Sequence, residues 1–224
     1  MWDTLLRPWQ ICFEEAWAAY CAGTVPIGAA VVDANGGLVG RGRNRILDKT
    51  LRDANPPEDG ASRGVVALFD HELAHAEINA LLWVHYPDGE DASRGHPHQW
   101  ALYTTVEPCP LCLGAFYMSG VRQLYYAARD TYAGSVNLLG KTPYLSRKPI
   151  RAFGPVEELE PISLALVVDS LLQDSLPERS QFLRNVWRQA VPRGVTLGER
   201  LFERKVLTEL RAGKASAAEM IGRV

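Results

Sequence analysis

Apolar residues recur every three to four positions through Leu5, Trp9, Ile11, Cys12, Ala16 and Tyr20, which predicts an amphipathic helix over residues 4–22, stopped by Gly23. The period then changes. Val25 to Val32 is apolar and β-prone, Asp33-Ala34-Asn35-Gly36-Gly37 carries turn chemistry, and Leu38 to Gly42 resumes an extended pattern, so this stretch predicts a hairpin. Irregular sequence follows from Leu47 to about Asp70, with Asn55-Pro56-Pro57-Glu58-Asp59-Gly60 at its centre; a loop of that length is functional or disordered. Helical spacing returns at Leu73, Ala76, Ile78, Leu81, Leu82 and Val84, predicting a helix from His71 to His85, and Tyr86 to His98 reads as a second polar loop.

Ala101 to Val106 predicts a strand ended by Pro108, Leu111 to Ser119 a helix, Gln123 to Ala128 a strand, and Ile150 to Phe153 a candidate last strand. This alternation predicts a three-layer α/β/α fold, with helices on both faces of a mixed sheet of about five strands. Pro161 opens an apolar helix that reaches Leu172. Behind it, capping-box spacing at Ser175 with Glu178, Thr196 with Glu199 and Ser216 with Glu219 predicts three further helix starts. The expected organisation is one domain over residues 1–175 and a helical C-terminal extension over 176–224.

Composition changes this picture little: 47% hydrophobic and 22% charged residues over 224 positions describe an ordinary globular protein. The start of the chain lacks a signal-peptide pattern and no apolar run approaches about 18 residues, so a cytoplasmic protein with no membrane partner is expected. Charge is uneven behind the net −2. Residues 178–224 hold ten Lys/Arg against five Asp/Glu, while the rest holds fourteen against twenty-one. The basic tail either docks on the acidic body, faces water, or meets RNA. Cys12 and Cys21 lie among small apolar and aromatic residues suited to packing, which leaves Cys109 and Cys112 for chemistry without a disulfide framework.

That chemistry centres on His75-Ala76-Glu77 and, 34 residues on, Pro108-Cys109-Pro110-Leu111-Cys112. Two cysteines three apart at a predicted helix start place both sulfurs on one face, where the helix N-terminus favours thiolates. Cys-x-x-Cys alone fits a redox pair or half of a structural zinc site as well. His75 as a third ligand leaves a fourth position for water, the catalytic rather than the structural zinc pattern, and Glu77 is then placed to move the proton of that water. A rival motif overlaps: His71-Glu72-Leu73-Ala74-His75 also satisfies the His-Glu-x-x-His pattern of zinc proteases, with Glu90 as a candidate third ligand. It leaves the cysteine pair and Glu77 unexplained. A non-catalytic, zinc-containing binding module is the remaining reading, against which Glu77 and the missing fourth ligand both count.

The chain resembles the cytidine/deoxycytidylate deaminase superfamily, and within it the branch of tRNA adenosine deaminase, guanine deaminase and cytosine deaminase. The matching stretches are Val25-Pro26-Ile27-Gly28-Ala29, Gly42-Arg43-Asn44-Arg45, His75-Ala76-Glu77, Thr105 to Ala115 and Ala128-Arg129-Asp130. The His-x-Glu and Pro-Cys-x-x-Cys pairing is the known zinc deaminase signature. The resemblance implies a cytidine-deaminase-like fold, zinc held by His75, Cys109 and Cys112, Glu77 as proton shuttle, and Asn44, Ala76 and Asp130 as substrate contacts. It also implies a homodimer and hydrolytic release of ammonia from an amino-substituted nucleobase, nucleoside or related heterocycle. Glu107 is expected to brace the cysteine loop. Thirty residues separate Asn44 from His75, and this interval, with the 86–98 loop and the acidic body, favours a small heterocycle, base or nucleoside over a nucleic acid; a purine-type substrate such as guanine or adenine is the first expectation. A tRNA adenosine deaminase is the second reading.

Overall fold

The computed structural model describes residues 1–49, 67–84 and 94–224. Helix α1 (Arg7–Cys21) buries Trp9, Ile11, Cys12, Phe13, Ala16, Trp17, Ala19 and Tyr20, as its apolar spacing requires. Strands β1 (Gly28–Val32) and β2 (Leu38–Arg43) form the expected antiparallel hairpin, with Gly28 opposite Arg43. Helix α2 (Ala76–Leu81) follows, then β3 (Ala101–Val106), α3 (Pro110–Ser119), β4 (Gln123–Ala128) and β5 (Arg151–Phe153). The sheet order is β2-β1-β3-β4-β5; β3 runs antiparallel to β1 and parallel to β4, and β5 is parallel to β4.

Side chains alternate across this mixed sheet. Ala30, Tyr103, Tyr125 and Ala127 meet α1 and α4 (Glu160–Leu172), while Ala29, Val31, Leu102 and Leu124 meet α2 and α3. The three-layer α/β/α prediction therefore holds. Gly42 shows how closely α2 is seated, since a Cβ there would lie 2.4 Å from Ala76 O and Ala80 N.

Four helices complete the chain: α5 (Pro177–Arg188), α6 (Pro192–Glu203), α7 (Val206–Ala212) and α8 (Ala217–Arg223). They dock by apolar burial. Leu183, Trp187, Val191 and Val195 cluster with Leu164, Val167 and Val168 of α4, and Leu207, Met220 and Ile221 join the core around α1. Contact between α4 and α6 is close at Gly198, where a Cβ would meet Val168 Cβ at 2.6 Å.

Two sequence expectations need correction. The helix predicted from His71 to His85 is restricted to Ala76–Leu81 among the described residues, because the backbone before it bonds elsewhere: Arg45 N–H reaches Ala74 O and His75 N–H reaches Leu73 O. Ser175 and Thr196 do not cap helices. Proline at the first position starts α5 and α6 instead, after Leu176 and Val191, and Thr196 falls inside α6. Only Ser216 with Glu219 forms its capping box.

Candidate active site

The carboxyl ends of β2, β3 and β4 and the start of β1 meet at one end of the sheet, the usual location of ligand sites in open α/β folds. A cavity of about 750 Å³ opens there, lined by Asn44, Glu72, His75, Glu77, Glu107, Cys109 and Asp130 among others. His75 is the N-cap of α2 rather than a residue of its first turns, and Cys109 is the N-cap of α3 with Pro110 behind it. Cys112 lies in the first turn of α3 and is 1% exposed.

These N-termini bring three donors together. His75 Nδ1 lies 3.6 Å from Cys109 Sγ and 3.4 Å from Cys112 Sγ. A tetrahedral zinc with Zn–S of about 2.3 Å and Zn–N of about 2.1 Å separates such atoms by about 3.6 Å, so the donor set fits that ion. Hydrogen bonding from Cys112, and after it from His75, brings the Cys109 thiol down to about 4 against the opposing effect of burial. Cys112, beside that sulfur and buried, is pushed well up. A divalent cation held by the two sulfurs would displace the remaining thiol proton. Among the described residues this is the one group of three metal-capable side chains. His71 is outside it; its Nδ1 accepts the Leu73 N–H at 3.1 Å. Glu90 and most of the Asn44–His75 interval expected to wall the pocket fall outside the described residues.

Glu77 follows His75 by two residues and is 4% exposed. Its Oε2 accepts from Cys112 Sγ at 3.3 Å and its Oε1 from Thr104 Oγ1 at 3.0 Å. Burial raises its carboxyl above the ordinary range. Asn44 is fixed by donors that define its amide orientation: Thr24 Oγ1 and the Ile46 N–H both reach Oδ1, at 2.7 and 3.2 Å. Its NH2 is thereby left to meet an acceptor in the cavity. Ala76 is buried, and its methyl packs in the core between α2 and the sheet rather than lining the cavity.

Glu107 has the bracing geometry expected of it, but its contacts are with residues 130–136: it accepts the Asp130 N–H at 3.2 Å and the Val136 N–H at 3.1 Å. Asp130 lines the cavity, and its Oδ1 accepts from Tyr132 N, Ala133 N and Trp187 Nε1. Tyr132 also lines the cavity, whereas Phe153 stacks on Tyr125 and Tyr144 packs on Tyr117. Thr24, Thr104, Leu183 and Trp187 were not legible as site residues. The strand pairing of Ala29 with Thr104 carries Thr104 to Glu77, and no local motif encodes that pairing.

Residues 5–128, more than half of the chain, match the cytidine and deoxycytidylate deaminase zinc-binding region. The chain is 30% identical over 127 residues to a tRNA-specific adenosine deaminase of Agrobacterium fabrum, covering 57% of this chain and 67% of that one. It is 23% identical over 133 residues to a cytosine deaminase of Candida albicans, covering 58% and 70%. A tRNA(Ile)-lysidine synthase of Deinococcus radiodurans matches at 35% over 114 residues, which is 50% of this chain but 15% of that protein. Among solved structures, NE0047 in complex with 2,6-diaminopurine superposes with a TM-score of 0.52 at 25% identity, covering 74% of this chain and 80% of that one. A mutant of the same protein in complex with 8-azaguanine superposes at 0.50 with 26% identity, covering 71% and 81%. No helix among the described residues is long and apolar enough to cross a membrane. With a zinc-compatible donor set at the site and the matched region extending from α1 through β4, the chain belongs to the zinc-binding cytidine and deoxycytidylate deaminase family.

Proposed function

We propose that the protein is a hydrolytic deaminase that converts an amino-substituted nucleobase, nucleoside or similar heterocycle to its oxo form with release of ammonia, and that a purine-type ring is its substrate. The observation that carries this reading is the buried Glu77 carboxylate, 3.3 Å from a sulfur of the His75, Cys109 and Cys112 set and open to the same cavity. A structural zinc site has no use for an adjoining carboxylate that is not a ligand, which disfavours the binding-module reading.

His75, Cys109 and Cys112 would hold zinc. Zinc held there supplies the Lewis acidity that makes water a competent nucleophile near neutral pH. Glu77 takes one proton of that water and passes it to the ring nitrogen beside the attacked carbon, then takes the second from the added hydroxyl group and gives it to the departing amine. A C–O bond forms, the exocyclic C–N bond breaks, and one water is consumed for each ammonia released. Thr104 holds Glu77 Oε1, which leaves Oε2 on the metal side to exchange the proton. The NH2 of Asn44 donates to a ring acceptor and fixes the ring's orientation. Ala76, with its methyl in the core, can contribute through its backbone, and Asp130 by positioning the groups its Oδ1 accepts from, Tyr132, Ala133 and Trp187.

The small-molecule reading draws on the cavity of about 750 Å³ and on the two purine analogues named for the NE0047 complexes. The tRNA-specific relative supports the alternative. We place the protein in the cytoplasm, in keeping with its four free cysteines, and expect the homodimer that the resemblance implies. Ammonia release measured side by side on free purines and on an adenosine-containing RNA stem-loop separates the two substrates. Turnover of the purine and none of the RNA is expected; the reverse would assign the protein to RNA.

A further inference from the structure

Helix α5 lies outside the family-matched residues 5–128, yet one of its faces belongs to the cavity. Arg179, Leu183 and Trp187 recur every fourth residue, so they share a stripe on the helix, and all three line the same space as His75 and Glu77. Beside them stand Ile27, Val106, Leu164 and Val167, which makes this wall apolar. Trp187 is held rather than merely packed. It is 6% exposed, and its indole N–H donates to Asp130 Oδ1 at 2.9 Å. Asp130 in turn gives its backbone N–H to Glu107, two residues before Cys109. A continuous set of hydrogen bonds therefore runs from the loop carrying a metal ligand to the indole, so ring and metal site keep one spacing. A large rigid ring at fixed distance and orientation is what a flat aromatic substrate packs against.

We infer that Trp187 determines substrate specificity: its indole is the wall against which one amino-heterocycle packs for attack, and Asp130 is the positioning residue that holds it. The substrate class that fits is a single flat ring system, free or carrying a small substituent. This inference rests on the deaminase reading above.

The test is steady-state kinetics on zinc-loaded full-length protein with guanine and guanosine, together with calorimetric titration of 8-azaguanine. Trp187→Phe keeps an aromatic core residue but loses ring area and the N–H, and is expected to raise KM about tenfold with kcat within about threefold and zinc content unchanged, the pattern of lost binding rather than lost chemistry. Trp187→Ala should in addition raise kcat/KM for guanosine relative to guanine. Asp130→Ala should reproduce the KM rise without touching the indole, and Asp130→Asn, whose amide oxygen still accepts, should recover most of it; this pair keeps the test intact if Trp187→Ala fails to fold. An unchanged KM in Trp187→Phe and Asp130→Ala overturns the inference, as does a fall in kcat at unchanged KM. If the wild type releases no ammonia from either compound, the guanine-type substrate fails, and calorimetry still decides the wall: 8-azaguanine should bind the wild type and bind Trp187→Phe about tenfold more weakly. Equal binding by both, or none by the wild type, overturns it.

Discussion

Cys112 occupies the tightest position in the site, with His75 Nδ1 at 3.4 Å on one side and Glu77 Oε2 at 3.3 Å on the other. That geometry separates ligands from bystanders. Cys109→Ala is expected to lose zinc, measured by metal analysis after dialysis, while His71→Ala keeps it; a His71 variant that loses zinc would restore the protease motif. Thr104→Val removes the hydroxyl that holds Glu77 Oε1 in a position 0% exposed, and a net hydrogen bond of about 1 kcal/mol corresponds to roughly a fivefold loss in kcat. An unchanged kcat would mean that Glu77 needs no such support. The ligands were legible in the sequence because each sits in a short motif whose spacing fixes a helix start. Thr24 and Thr104 were not, since both act through pairings between segments distant in the chain. Asp130 was legible as a polar group at the site, but its bond to Trp187, 57 residues away, was not.

At the scale of elements, the two corrections have one origin: backbone bonding and proline geometry override side-chain periodicity. Leu73 continues the apolar spacing of α2, but the turn at His71 to Ala74 bonds to the Arg45 segment, and the helix starts three residues later. Pro177 and Pro192 have φ pre-set for the first helical position, so the N-caps fall at Leu176 and Val191 and neither Ser175 nor Thr196 occupies one. The strands, by contrast, were readable from alternation and turn chemistry alone. Close seating of α2 on β2 gives the sharpest prediction here. Gly42→Ala would place a Cβ 2.4 Å from backbone atoms of α2, and overpacking of this kind costs about 3 kcal/mol. For a chain of this length that lowers Tm by roughly 10 °C, read by calorimetry. A shift below about 2 °C would show that α2 can move off the sheet.

For the whole molecule, the C-terminal helices do what the charge distribution alone did not reveal: they bury an apolar face on α4 and add a wall to the cavity. Part of the tail's charge is paired within the tail. Glu199 accepts from Arg188 at 2.6 Å and Arg184 at 2.5 Å. Burial alone would raise this carboxyl, but the hydrogen bonds from Arg188 and Arg184 outweigh it and hold it below the ordinary range. A folded value below the unfolded one gives stability that is present above the unfolded value of about 4.3 and lost as pH falls through the folded value. Denaturant unfolding should therefore show Glu199→Gln less stable than the wild type at pH 7, with the gap closing below about pH 4; a gap independent of pH would remove the ion pair from the docking of α5 on α6. The central claim is tested most directly by ammonia release from zinc-loaded protein over guanine, adenine, cytosine, their nucleosides and amino-triazines, run beside Glu77→Gln. The wild type should release ammonia from at least one compound, and Glu77→Gln, with zinc retained, should be slower by a factor of about 100 to 10,000. Full activity in Glu77→Gln, or silence of the zinc-loaded wild type across the panel, would contradict it.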